Sequence, residues 1–173
     1  QALGATFQLI EAGQPNRTLV DKPPFDGDVS GVQYLKPYLN AQPLALIIIM
    51  LGTNDLKARY HLSATAIGSG LHSLINAIQN HYQQPTQLPQ PKLLILCPPE
   101  VYAIGQYQRI YAGANEKAKQ LGPVFGHIAQ QTQCDFFNTQ SHIQPCAIEG
   151  VHLAPEQHAA LAHHLAQHLL TMF

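Results

Sequence analysis

A chain of 173 residues falls in the single-domain range and is long enough to bury about 70% of its unfolded surface around one core. Hydrophobic residues make up 46% of it and charged residues only 11%, against the roughly 25% charged usual for soluble domains. With a formal net charge of -1 and no Lys/Arg cluster, it lacks the electrostatic footprint that nucleic acid or an anionic membrane requires; a small uncharged substrate fits better, and the weakly charged surface leaves a homo-oligomer open.

In chain order, Gln1 to Gly4 reads as the last turn of a helix closed by glycine, so the chain starts at the end of an element and points to sequence ahead of it. Thr6 to Glu11 (TFQLIE) reads as a strand and Val29 to Gln42 as a helix. The apolar run Leu44 to Leu51 (LALIIIML) follows, then a helix over Ser63 to Tyr82 with Ser63 as its N-cap. Lys92 to Cys97 (KLLILC) is the next strand, followed by a helix over about Arg109 to Gln133. Cys134 to Asn138 (CDFFN) is the last strand, and Pro155 to Met172 the last helix, opened by the preset φ of Pro155 and the dipole-matching charge of Glu156. Pro37 and Pro123 are expected to kink or divide their helices. Near-continuous apolar strands suit a parallel sheet buried on both faces, and the alternation of strand and helix predicts one doubly wound α/β domain over residues 1–173.

Leu44 to Leu51 spans eight residues, far short of the roughly 20 needed to cross a bilayer. Cys97, Cys134 and Cys146 are an odd set without CxxC spacing, so neither a disulfide framework nor a zinc clip is indicated; the preference is for a reducing, cytoplasmic setting. His164 and His168 share a helix face but lack an HExxH pattern, and read as a solvated face. No metal or cofactor is expected.

Ligands of a doubly wound sheet bind beyond the carboxyl ends of its strands. Past LALIIIML lies Gly52-Thr53-Asn54-Asp55, past TFQLIE lies Gly13-Gln14-Pro15-Asn16-Arg17-Thr18, and past CDFFN the chain reaches Glu149-Gly150-Val151-His152. Asp55 reads as a loop-bracing acceptor, Arg17 as the partner of a nearby carboxylate or carbonyl, and Tyr102, Tyr107 and Tyr111 as a lid, a pocket wall or simple aromatic packing.

IEAGQPNRT, IIIMLGTNDLK, LLILCPP and EGVHLAPEQHAAL, in this order and nearly end to end, resemble the conserved blocks of the SGNH (GDSL-type) serine ester hydrolases, close to their arylesterase and acyltransferase branch. The resemblance implies a three-layer α/β/α fold with a mainly parallel sheet in the flavodoxin-like 2-1-3-4-5 order, and hydrolysis or transfer of short acyl groups from esters. It implies His152 as general base, Glu149 as its carboxylate, and Asn54 (side-chain amide) and Asn16 (backbone N–H) as oxyanion donors. Thr53 and Val151, in the same turns, are assigned to substrate binding. Two positions depart from the pattern: the acid is usually aspartate, one methylene shorter than Glu149, and the Asn16 position is commonly small, often glycine.

The family's nucleophile lies in a Gly-Asp-Ser turn after the first strand, and no such motif occurs in this chain. None of its five serines, Ser30, Ser63, Ser69, Ser73 and Ser141, follows a buried strand. In the family's order the absent strand is the central one, which would leave two ladders of backbone donors and acceptors open. The expectation is therefore that a complementary N-terminal segment or another chain fills the gap, or that TFQLIE and LALIIIML close up and pair. The competing readings are a non-catalytic SGNH-like binding or assembly module and, last, a flavodoxin-like nucleotide binder, which would need a glycine-rich phosphate loop that is missing here.

Overall fold

A computed structural model describes residues 7–20, 31–41, 43–83 and 88–173. Its regular elements are α1 (Gly31–Ala41), β1 (Leu46–Ile49), α2 (Ala64–Gln83), β2 (Lys92–Cys97), α3 (Ala114–Gln131), β3 (Asp135–Asn138) and α4 (Pro155–Leu170). The three strands form one parallel sheet in the order β1-β2-β3, with Ile47 opposite Leu93 and Ile95 opposite Phe136.

Alternation along the strands splits the core in two. Ile47, Ile49, Leu93, Ile95 and Cys97 pack with Leu71, Ile75 and Ile78 of α2 and Leu121 and Phe125 of α3. Leu94, Leu96 and Phe137 face the other way, onto Leu161, Leu165 and Leu169 of α4. The result is the three-layer α/β/α arrangement with the sheet in the middle. β2, buried at five successive positions, is the two-faced strand its apolar run predicts.

Helix starts follow their signals. The Ser63 Oγ accepts from the Ala66 N–H at 3.1 Å, and Pro155 opens α4. α1 and α3 each run through their proline as one assigned helix, so neither is divided as expected. In α3 the expected start at Arg109 moves to Ala114, because Gly105–Tyr107 forms a 3-10 turn and Gly113 takes a left-handed φ of 75° immediately before the helix.

The strand expected at TFQLIE does not form: Phe7 to Glu11 is exposed and carries no strand pairing, Thr6 lying outside the described residues with Gln1 to Gly4. Nor does this segment close up on β1. A strand needs a neighbour about 4.8 Å away to complete its ladder, and Phe7 to Glu11 has none among the described residues. Among the described residues β1 pairs on one edge only, with β2. By alternation Ile48 points to the α4 side of the sheet, where α4 covers β2 and β3 instead; Ile48 is left 39% exposed and Met50, just past the strand, 40%.

Candidate active site

Because all three strands are parallel, the turns after them gather at one end of the sheet. The turn after β1 begins at Gly52, whose φ of 118° suits glycine and where a Cβ would lie 3.2 Å from the Phe125 ring. Asn54–Leu56 then forms a 3-10 turn headed by the half-buried Thr53. Asp55 is fully buried; its carboxylate accepts from the Leu19 N–H at 2.9 and 3.0 Å and from the Val20 N–H at 3.0 Å. That is the bracing role expected of it, and it ties the loop carrying Asn16 to the loop carrying Asn54.

Two further bonds join these loops. The Asn54 amide donates to the Arg17 carbonyl at 3.1 Å, and the Lys57 ammonium donates to Asn16 Oδ1 at 2.7 Å. Asn16 sits in the left-handed region at φ 61°. This accounts for the residue found there: the position favours glycine, and asparagine is among the side chains that best tolerate this conformation. Arg17 is buried, stacks over the Tyr34 ring at 3.5 Å from its centroid and donates to the side-chain carbonyl of Gln14, a carbonyl partner as the sequence suggests.

The turn before α4 brings Glu149 and His152 together. Glu149 Oε2 lies 2.8 Å from His152 Nδ1, while Oε1 accepts from the Val151 N–H at 3.1 Å and from the His152 N–H. The extra methylene of glutamate is thus accommodated by a compact turn in which one carboxylate oxygen takes two backbone N–H groups and the other takes the ring. Gly150 makes this possible with φ 77°, where a Cβ would collide with the Tyr102 carbonyl at 2.0 Å. Cys146 N donates to the His152 carbonyl and Gly150 N to the Cys146 carbonyl, both at 2.7 Å, which closes the turn. Burial pushes the Glu149 carboxyl up, but the His152 N–H, the His152 ring and the Val151 N–H together outweigh it and hold it below the ordinary glutamate range. Its carboxylate is therefore the resident form.

The His152 side chain is 67% exposed, with Nδ1 turned to Glu149 and no partner for Nε2 among the described residues. Tyr107 packs edge-on against His152 at 5.4 Å between centroids and against Tyr111 at 6.2 Å. The Tyr111 hydroxyl in turn donates to Asn54 Oδ1 at 3.5 Å, fixing which end of the amide carries the donors. Burial, followed by the neighbouring Tyr107, pushes the Tyr111 hydroxyl well above its ordinary value and keeps it a proton donor. The tyrosine cluster is thus a wall linking the two sides of the site.

Of the residues singled out from sequence, the structure draws His152 and Glu149 into contact and Asn54 and Asn16 onto two linked loops. Val151 is placed differently from a substrate-lining residue: its side chain is buried in the core, and it offers Glu149 its N–H. Lys57, inside the IIIMLGTNDLK motif, carries geometry that the sequence reading did not assign, and Tyr111, expected only as part of a lid, pocket wall or aromatic cluster, also bonds Asn54. Ser63, Ser69 and Ser73 spend their hydroxyls on the backbone of α2, Ser141 is exposed at the end of the 3-10 turn after β3, and Ser30 lies outside the described residues. Among the described residues no group of three or more His, Cys, Asp or Glu could hold a metal ion, and no helix is long and apolar enough to cross a membrane.

A three-layer α/β/α domain with an imidazole–carboxylate pair and an asparagine amide at the carboxyl ends of its strands is the framework of a hydrolase of the SGNH type. The model of the GDSL-like lipase/acylhydrolase family matches residues 4–165, and the chain belongs to that family. Among solved structures, a carbohydrate acetylesterase of Sinorhizobium meliloti is 30% identical with a TM-score of 0.93, the match covering 99% of this chain and 82% of that one. An aryl esterase of M. smegmatis is 31% identical with a TM-score of 0.91, over 99% and 82% of the two chains. A putative arylesterase of Agrobacterium tumefaciens is 30% identical with a TM-score of 0.87, over 99% and 83%. A comparison with curated proteins gives no match.

Proposed function

We propose that this chain carries the base, the carboxylate and the oxyanion donors of a serine carboxylic-ester hydrolase, and that the nucleophilic serine enters on a strand outside these 173 residues. The observation that carries the proposal is the Glu149–His152 contact at 2.8 Å, which occupies Nδ1 and leaves Nε2 without a partner among the described residues. Its substrates would be small uncharged esters with short acyl groups on aryl or carbohydrate alcohols, the classes in the names of its structural relatives.

In the chemistry that follows, the serine Oγ attacks the ester carbonyl while His152 Nε2 takes its proton. Glu149 holds the proton on Nδ1 and stabilises the imidazolium. The carbonyl oxygen, now negative, takes hydrogen bonds from the Asn54 amide and the Asn16 N–H; one such donor is typically worth about 3 to 4 kcal/mol. Collapse returns the proton from Nε2 to the leaving alcohol, and water, or a competing alcohol, then attacks the acyl-serine by the reverse proton path.

The edge of β1 that has no strand partner among the described residues supports the origin of the serine. A parallel strand docked there would use the open ladder, cover Ile48 and Met50, and end beside Asn54 at the site. The test is to supply that strand, on a longer polypeptide or as a complementary fragment, and measure hydrolysis of p-nitrophenyl acetate. Activity abolished by His152→Ala is expected. A completed, folded protein without esterase activity would overturn the proposal in favour of a non-catalytic SGNH-like module.

A further inference from the structure

The Lys57 ammonium is held in an unexpected place. Lys57 is 8% exposed, and burial, followed by the charge of Arg59, lowers its pKa while the Asp55 carboxylate opposes them. A buried cation normally takes a carboxylate partner, yet among the described residues Lys57 makes no ion pair. It donates to the neutral Asn16 Oδ1 at 2.7 Å. Asn16 sits in the left-handed conformation at φ 61°, and its backbone N–H is the oxyanion donor of the proposed mechanism.

We propose that Lys57 is a positioning residue for the oxyanion site: it grips the Asn16 side chain and so holds that residue in the left-handed conformation that sets the direction of its N–H. Four facts meet in this assignment. A charge-assisted bond is roughly twice as strong as a neutral one, enough to offset the strain of a non-glycine residue at positive φ. Lys57 stands on the same turn as Asn54, its N–H donating to the Asn54 carbonyl at 3.3 Å, so one rigid segment orients both oxyanion donors. Asn54 is tied to the Arg17 carbonyl, next in sequence to Asn16. Finally, the asparagine that stands where the family commonly has a small residue gains a use for its side chain: the Asn16 and Lys57 side chains form a pair.

The inference rests on the serine-hydrolase reading, and its test separates the two. In the completed protein, Lys57→Met should lower kcat about 10- to 100-fold, as expected for a donor misplaced by up to an ångström, with KM within about twofold. Asn16→Gly removes the same bond from the other end while permitting positive φ; in that background Lys57→Met should change kcat by less than about twofold, because pairs acting through one contact are non-additive. Equal effects of Lys57→Met in both backgrounds, or a rise in KM with kcat unchanged, would overturn the assignment. If the unaltered completed protein hydrolyses no ester, the functional reading fails by itself, and NMR of the present chain still decides this one. Lys57→Met should then shift the Asn16 backbone signals and its N–H to Hα coupling away from left-handed values, and unchanged values would refute it.

Discussion

Replacing Glu149 by glutamine changes one atom type and forces a choice of amide orientation. If the amide oxygen stays on His152 Nδ1, its NH2 must face the Val151 and His152 N–H groups, placing donors against two donors. If it flips, its oxygen keeps both backbone bonds and its NH2 points at Nδ1, now as donor to an unprotonated nitrogen. The flipped form preserves more hydrogen bonds, a preference of about 1 to 3 kcal/mol or roughly 5- to 150-fold in population. His152 then carries its proton on Nε2 and cannot accept one from serine. The imidazolium also loses its carboxylate, and together these effects should lower kcat by about 10⁴, the usual cost of the wrong tautomer. KM should change little, since Glu149 lies behind the histidine. The assay is kcat and KM on p-nitrophenyl acetate in the completed protein, with the ring nitrogens of His152 followed by long-range 1H–15N correlation in the present chain. A Glu149→Gln protein within tenfold of the unaltered rate, or one with the proton still on Nδ1, would refute the reasoning.

Other outcomes follow from the same coordinates. Asp55→Ala strands the Leu19 and Val20 N–H groups and unties the Asn16 loop from β1, so urea unfolding should show a loss of about 3 to 5 kcal/mol; a loss under about 1 kcal/mol would contradict the bracing role. The Glu149 carboxyl is held below its ordinary value of 4.5, so its stabilisation is fully present above that value and is lost as pH falls through the lowered one. Melting curves of the unaltered protein and Glu149→Gln should accordingly converge on acidification below about pH 4.5, and a gap that widens there would have the wrong sign. Burial pushes the Cys97 thiol up to about 12, leaving about one thiolate in 10⁴ at pH 8. Iodoacetamide should therefore modify Cys97 only after unfolding, and native labelling of Cys97 as fast as that of half-buried Cys146 would contradict its burial.

Most of the fold was legible because its signals are local. KLLILC forms β2 over the same residues, Ser63 caps α2, and Pro155 opens α4, each from chemistry contained within a few positions. TFQLIE differs for the opposite reason: a strand exists only through its neighbours, and Phe7 to Glu11 has no strand partner among the described residues. The site divides along the same line. His152 and Glu149 lie three residues apart on one turn and could be read together, whereas the Lys57–Asn16 and Tyr111–Asn54 contacts join residues 41 and 57 positions apart, which no local pattern encodes. Asn16 looked like a departure until its positive φ gave the reason for it.

In the proposed mechanism a serine from outside these residues completes the site at the edge of β1 that has no strand partner among the described residues. The most direct measurement is to treat the completed protein with a fluorophosphonate and locate the label by peptide mass spectrometry. One label is expected, on a serine at the end of the added strand, lost in His152→Ala. A label on Ser30, Ser63, Ser69, Ser73 or Ser141, or no label on an active protein, would contradict it.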